Sequence, residues 1–310
     1  MVYIPQITEQ IHFLSPERFL MTTLKLKTPV EDIINYFDRL DKKIFTRSDI
    51  DNILTENKAF WRISDSTTLT KFIAFLLEKT KLELFKFEFS RNILLYAWGH
   101  VSPYELIASI KPGAYFSHYT AMQFHELTDQ IPNMIYLNFE QPAKPFPGGR
   151  LTQSGIDIAF KRPVRVSKNI ASFQDKKIRL LNGKYTNRLG VVEMIDSEGG
   201  KIPVTNIERT LIDIAVRPVY SGGIFEVLNA YKTAAGKVSL NKLAATLKRL
   251  DYIYPYHQVI GFYLTKAGVY KKSLIDMFKK GDIKYDFYLA HQMKDTEYSK
   301  EWRLYFPKGL

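Results

Sequence analysis

The sequence predicts an α+β chain in two parts: a small helical domain closed by a β-hairpin, then a larger mixed α/β domain. Three observations predict it. Between residues 30 and 77 apolar side chains recur at helical spacing in three short runs, after which residues 81–98 switch to alternation around Ser90-Arg91-Asn92. Beyond residue 102 short extended segments mix with helical ones, and the clearest helix carries Ile207, Leu211, Ile214 and Ala215. The charge is also uneven. Residues 1–110 hold 14 Lys+Arg and 14 Asp+Glu, whereas residues 111–310 hold 30 against 18. The expected division is a leader over 1–24, the small domain over 25–100 and the larger domain over 101–310.

Composition bounds the function. A chain of 310 residues with 45% hydrophobic and 25% charged residues can bury a large core without disulfides or metal. It has no cysteine, which excludes disulfide scaffolds, thiolate zinc sites and cysteine nucleophiles. No apolar run reaches the 18 residues of a membrane helix, and the N-terminus lacks the basic and apolar regions of a secretory signal. The expectation is a cytoplasmic protein with no membrane partner. A net charge of +12 points to a polyanion, with nucleic acid the usual one.

In chain order, residues 22–27 suggest a short strand, and Thr28 and Pro29 suit the cap and first turn of a helix bearing Ile33, Ile34, Phe37 and Leu40. Ile44-Phe45 is extended. Thr46-Arg47-Ser48-Asp49 starts a second helix with Ile50, Ile53 and Leu54. Asp65-Ser66 can cap a third, whose apolar stripe is Leu69, Phe72, Ile73, Leu76 and Leu77 and whose opposite face shows Thr67, Thr68, Thr70, Lys71 and Ala74. Three short helices followed by a hairpin is the order of a winged helix-turn-helix, whose third helix enters the DNA major groove. On that reading Thr46, Arg47, Ser48, Ser66, Thr67, Thr68, Thr70, Lys71, Arg91 and Asn92 are the candidate DNA contacts, short polar side chains near bases and cations near phosphates. The same fold also serves as a protein-interaction module.

In the larger domain, Ser102 opens a helix and residues 114–116 a strand. Ser117 is placed to cap a helix through Leu127. His118 and His125 lie seven apart on that helix, but no carboxylate at ligand spacing accompanies them, and core histidines explain them better. Residues 134–140 read as a strand, 141–150 as a Pro/Gly-rich loop, and 151–204 as short strands and turns with Lys161, Arg162, Arg165, Lys176, Lys177 and Arg179 as basic positions. Thr205 and Glu208 stand in the S/T-x-x-E relation of a capping box, and Arg209 and Asp213 can pair at i, i+4 on the helix surface. Arg217-Pro218 ends that helix, Gly222-Gly223 turns the chain, and residues 224–231 form the second helix of a hairpin. Helix 240–250 is amphipathic. The aromatic run 251–264 reads as core, residues 270–280 place four lysines near one helix, and Trp302, Leu304 and Phe306 alternate in a last strand.

No phosphate-cradling Gly-rich loop, nucleophile elbow or H-E-x-x-H motif is present. Asp157, Glu193 and Asp213 could build a metal-dependent nuclease site, but their spacing gives no support. No catalytic residue, cofactor or metal ligand is therefore assigned. An enzyme acting on nucleic acid or on a partner protein stays open beside the DNA-binding and scaffold readings.

The segments GAYFSHYTAMQFHELTDQIP (113–132) and TNIERTLIDIAVRP (205–218), the YSGG that follows, and EWRLYFP (301–307) together resemble the AbiE-type antitoxins of type IV toxin–antitoxin and abortive-infection systems. The matching positions are Ser117, His118 and Thr120 in the first segment and Thr205, Glu208, Arg209, Thr210 and Asp213 in the second, all read as structural. The resemblance spans roughly residues 30–307 and is strongest in the second half. It implies a phage-defence protein encoded beside a nucleotidyltransferase-like toxin. Such an antitoxin binds promoter inverted repeats through its winged helix, represses its own operon, and opposes the toxin without a stable complex. The basic second half would then contact DNA, or an RNA that the toxin targets.

Overall fold

In the computed structural model, which describes residues 30–143, 150–279 and 283–310, the chain is α+β with several sheets. The leader, the strand expected over 22–27, the Thr28-Pro29 helix start and the middle of the 141–150 loop lie outside the described residues. The described chain divides into two units. One takes residues 30–87, 94–101 and 172–175; the other takes 88–93, 102–171 and the remainder from 176.

The first unit closes on aromatic side chains. Helix α1 (Val30–Arg39) buries Ile33 and Phe37, strand β1 is Ile44–Phe45, α2 (Arg47–Asn57) buries Ile50, Ile53 and Leu54, and α3 (Leu69–Lys79) buries Phe72, Ile73 and Leu76. Strands β2 (Leu82–Glu88) and β3 (Asn92–Trp98) complete a three-stranded sheet in the order β1-β3-β2, with Ile44 opposite Ala97 in an antiparallel pair. Trp98 stacks on Phe37 at 4.5 Å and donates its indole N–H to Asp38 at 2.6 Å. Trp61 stacks on Phe72. The third helix starts later than the sequence suggests. Thr68 caps it, accepting from the Lys71 N–H, while Ser66 pairs with Ser64. Lys58 takes the carbonyls of Asp65 and Thr67, which holds that stretch out of the helix.

The second unit begins with α4 (Pro103–Ala108), β4 (Tyr115–Phe116), α5 (His118–Phe124), β5 (Met134–Glu140) and α6 (Gln153–Lys161). Next come β6 (Ile170–Phe173), β7 (Lys176–Gly183), β8 (Val191–Ile195), β9 (Lys201–Thr205) and helices α7 (Ile207–Val216), α8 (Ile224–Thr233), α9 (Leu240–Leu250) and α10 (Tyr256–Ala267). The end of the chain adds α11 (Lys272–Ile275), β10 (Phe287–Tyr288), β11 (Thr296–Ser299) and β12 (Leu304–Pro307). Six strands form a mixed sheet in the order β6-β7-β5-β4-β9-β8, with β5 parallel to β7 and antiparallel to β4. A small sheet, β10-β12-β11, seats the C-terminal strand.

Two features correct the sequence reading here. Residues 153–161, expected among strands and turns, are helical, because Thr152 caps the first turn and Ile156 and Phe160 bury one face. The end of the run read as four lysines on one helix is a single turn followed by a 3-10 turn. The aromatic run 251–264 does enter the core: Phe262, Tyr263 and Leu264 are buried, and Gly261 lets the ring of Trp302 lie where a Cβ would be 2.1 Å away.

Candidate nucleic-acid interface and the buried polar centre

In the first unit the N-terminal turns of α2 and α3 come together. Thr46 caps α2 in a reciprocal capping box, its side chain accepting from the Asp49 N–H while the Asp49 carboxylate accepts from the Thr46 N–H at 2.7 Å. Arg47 then reaches across to Thr70, donating to its hydroxyl at 2.8 Å. Arg47, Ser48, Ser66, Thr68, Thr70 and Lys71 are all exposed, as is Thr46. Thr67 is the exception. It is buried, so it cannot be the outward-facing contact the helical wheel suggested. Arg91 and Asn92, at the turn and start of β3, are exposed and belong with the second unit.

The second unit is organised around α7. All of residues 208–215 are buried, Glu208, Arg209, Thr210 and Asp213 included. The capping box expected from Thr205 and Glu208 does not form. Thr205 ends β9 fully buried, with its hydroxyl 2.8 Å from that of Thr210, and Asn206 takes the cap position, accepting from the Arg209 N–H at 2.9 Å. Glu208 instead accepts the backbone N–H of Ser239 at 3.2 Å and so ties α7 to the start of α9. The S/T-x-x-E pattern misled because the strand runs to the residue before the cap.

Arg209 and Asp213 do pair at i, i+4, but in the interior rather than on the surface. The guanidinium Nε donates to Asp213 at 2.7 Å, and both side chains are less than a tenth exposed. The Arg209 Nη1 donates to the Leu189 carbonyl at 2.7 Å and to the Thr186 hydroxyl at 3.3 Å. Burial works against the Arg209 charge, but the adjacent Asp213 more than offsets it, so the guanidinium holds its proton more tightly than usual. Gly190, with φ +77°, makes room for this pair; a Cβ there would lie 2.8 Å from Arg209 Cβ.

Thr186 continues the network to a group that the sequence did not single out. Glu140, the last residue of β5, accepts from the Thr186 N–H and hydroxyl, from the Arg188 N–H and from the Tyr115 hydroxyl. Partial burial opposes its ionisation, yet the Thr186 and Arg188 hydrogen bonds hold its carboxyl below the usual range. Burial pushes the hydroxyls of Tyr115 and Tyr252 up, so both stay protonated beside the Arg209–Asp213 pair. Tyr115, Glu140, Thr186, Arg209 and Asp213 thus form a satisfied chain pinning the 184–190 loop to the sheet and to α7. Next to it a shallow, open surface depression is lined by Gly113, Glu140, Tyr185 and Arg188 among others.

The N-terminal signature residues are equally interior. Ser117 precedes α5 without capping it; its hydroxyl is 2.8 Å from His118 Nδ1. His118, at φ +53°, packs edge-on against Tyr220, and burial lowers its pKa to about 4. Thr120 accepts the Tyr136 N–H at 2.8 Å. His125 falls after the end of α5 and points its Nε2 to the Thr205 carbonyl at 2.6 Å, so the two histidines share no site. Asp157 accepts from Gln153 and Tyr288, Glu193 faces Lys201, and Asp213 is held by Arg209. Among the described residues no group of three or more His, Asp or Glu is placed to hold a metal ion. Within the same residues no helix is long and apolar enough to cross a membrane.

No protein-family model matches the sequence, and no curated protein matches it. Among solved structures the chain is similar to the crystal structure of the RV2827C protein from Mycobacterium tuberculosis. The TM-score is 0.54 at 14% identity, over 91% of this chain and 93% of that one. At that identity the likeness concerns the fold alone. It extends over both units.

Proposed function

We propose that this protein is a DNA-binding autorepressor with antitoxin activity of the AbiE type, opposing a nucleotidyltransferase-like toxin. The observation that carries the reading is the first unit. Its order of helix, strand, helix, helix and hairpin, with a three-stranded sheet β1-β3-β2, fits a winged helix-turn-helix. Its third helix presents an exposed, hydroxyl-rich first turn with Lys71, braced by Arg47 from the second. Short side chains there allow a DNA backbone to approach, and the cations meet phosphates. The buried, mutually satisfied charges of α7 supply scaffold rather than reaction chemistry, which favours an antitoxin over an enzyme.

Binding to a duplex carrying the promoter's inverted repeats, measured by anisotropy against salt, tests the reading. Log K should fall with log salt by about 0.9 for each phosphate contacted, and Lys71→Ala or Arg91→Ala should each flatten the slope by about one such unit. Unchanged slopes in both variants would remove α3 and the hairpin turn from the interface. No specific retardation of any promoter fragment would leave the protein-interaction alternative in its place.

A further inference from the structure

The positive charge of the second unit is concentrated in one stretch. Between Val227 and Ile275 the sequence holds eight Lys and Arg residues against one acid, Asp251, which supplies seven of the net +12. The stretch runs through α8, α9, α10 and α11, and all eight cations are exposed. Among the described residues only Lys237 of the eight stands in an ion pair, with Glu126 at 3.3 Å. Asp276, the next acid along the chain, is taken by Lys279 at 2.9 Å.

Packing brings three of these lysines to one end of the helices. Tyr231 of α8 stacks on Tyr263 of α10 at 5.1 Å, and the Tyr270 hydroxyl donates to the Tyr231 carbonyl at 2.5 Å. Lys232 follows Tyr231 in the last turn of α8, and Lys271 and Lys272 follow Tyr270 at the start of α11. The backbone on either side of that hydrogen bond therefore carries all three. A cation in the last turn complements the helix dipole, which accounts for Lys232. Lys271 and Lys272 stand at a helix start, where the dipole gives them no such support. Like charges gathered without a carboxylate oppose folding, and a polyanion would offset them.

We propose that Lys232, Lys271 and Lys272 form a contact surface for the sugar–phosphate backbone of duplex DNA, engaged without regard to sequence. Lysine is a point charge without a planar fork, which suits phosphates, and phosphate contacts position a protein without specifying bases. The choice of a duplex rests on the autorepressor reading of the first unit. Residues 1–110 carry no net charge, whereas a duplex presents one negative charge for about every 1.7 Å of its axis. The attraction has to come from elsewhere in the chain.

Anisotropy of the full chain with a labelled duplex of scrambled promoter sequence, titrated across salt, tests the surface. In a triple variant with Lys232→Gln, Lys271→Gln and Lys272→Gln, the slope of log K against log salt should flatten by about 0.9 for each lysine lost. A second triple variant with Lys294→Gln, Lys300→Gln and Lys308→Gln removes the same charge from exposed positions near β11 and β12. It should bind as the parent does. A parent slope in the first triple variant, or equal flattening in the second, would overturn the proposal. So would a single-stranded RNA whose binding weakens in the first triple variant while that of the duplex does not, which would assign the surface to RNA. Preference for the promoter duplex over the scrambled one, measured on the same variants, reports on the first unit. Its absence with the lysine effect intact would remove the autorepressor reading and leave this surface standing.

Discussion

Removing one member of the Arg209–Asp213 pair strands the other in the interior. Arg209→Met leaves the Asp213 carboxylate buried without its 2.7 Å partner, a loss of about 3–5 kcal/mol in denaturant unfolding. Arg209→Met combined with Asp213→Leu should cost clearly less than the two singles added, because no unpaired charge remains. Strict additivity would mean that the pair is not coupled. Titration gives a second residue-scale prediction. His118 is held neutral by burial, with a pKa of about 4 against the ordinary 6.5, so the unfolded chain binds more protons in between. Stability must therefore fall as pH drops from about 6.5 towards 4, and His125 and His257, also lowered by burial, act with the same sign. Glu140 acts lower: the stability it contributes is present above the unfolded carboxyl value of about 4.3 and is lost as pH falls through its depressed folded value. His118→Gln should flatten the stability profile between pH 7 and 5, and Glu140→Gln only below about 4.3. Unfolding midpoints measured across pH check both.

The first turn of α7 shows how elements are joined. Asn206→Ala removes the cap acceptor of the Arg209 N–H and should cost about 1 kcal/mol, localised by hydrogen exchange to the start of α7. Glu208→Ala should instead expose the Ser239 N–H and speed exchange at the start of α9, leaving the α7 cap closed. Faster exchange at α7 alone in the Glu208 variant would restore the capping box inferred from its spacing. The elements that were legible share a cause. Helices α1, α2, α3, α7, α9 and the strand β12 carry a clear period in their apolar residues, and such a period can be read without knowing what the element packs against. Helix α6 was not legible, since Gly155 and a two-residue apolar face give it little pattern. The site fared similarly. Arg209 and Asp213 are four apart and could be paired from sequence, though not placed in the interior. Glu140 and Thr186 meet across 46 residues, brought together only by the pairing of β5 with β7, and no local signal announces such a contact.

At the scale of the molecule the two units keep separate cores: none of the buried residues around Trp61, Phe72 and Trp98 belongs to the cluster around α7, α10 and Trp302. Charge is divided as well, with residues 1–110 neutral and the whole +12 in residues 111–310. Under the proposed reading, short-range DNA reading and polyanion attraction would fall to different parts of the chain. Separate cores carry a direct consequence for stability. Gly261→Ala drives a methyl group into the ring of Trp302, and neither can yield, because Gly261 is in mid-helix and the ring is fully buried. Overpacking of this kind costs about 1–3 kcal/mol or more. Hydrogen exchange should therefore quicken in α10 and β12 while the amides of α3 keep their wild-type protection. Phe72→Ala should do the reverse, opening a cavity worth about 3–5 kcal/mol under α3 and leaving α10 protected. Combined in one chain, the two changes should act side by side, each on its own unit. Loss of protection in α3 caused by Gly261→Ala alone would show that the cores are energetically coupled and that the chain unfolds as one body.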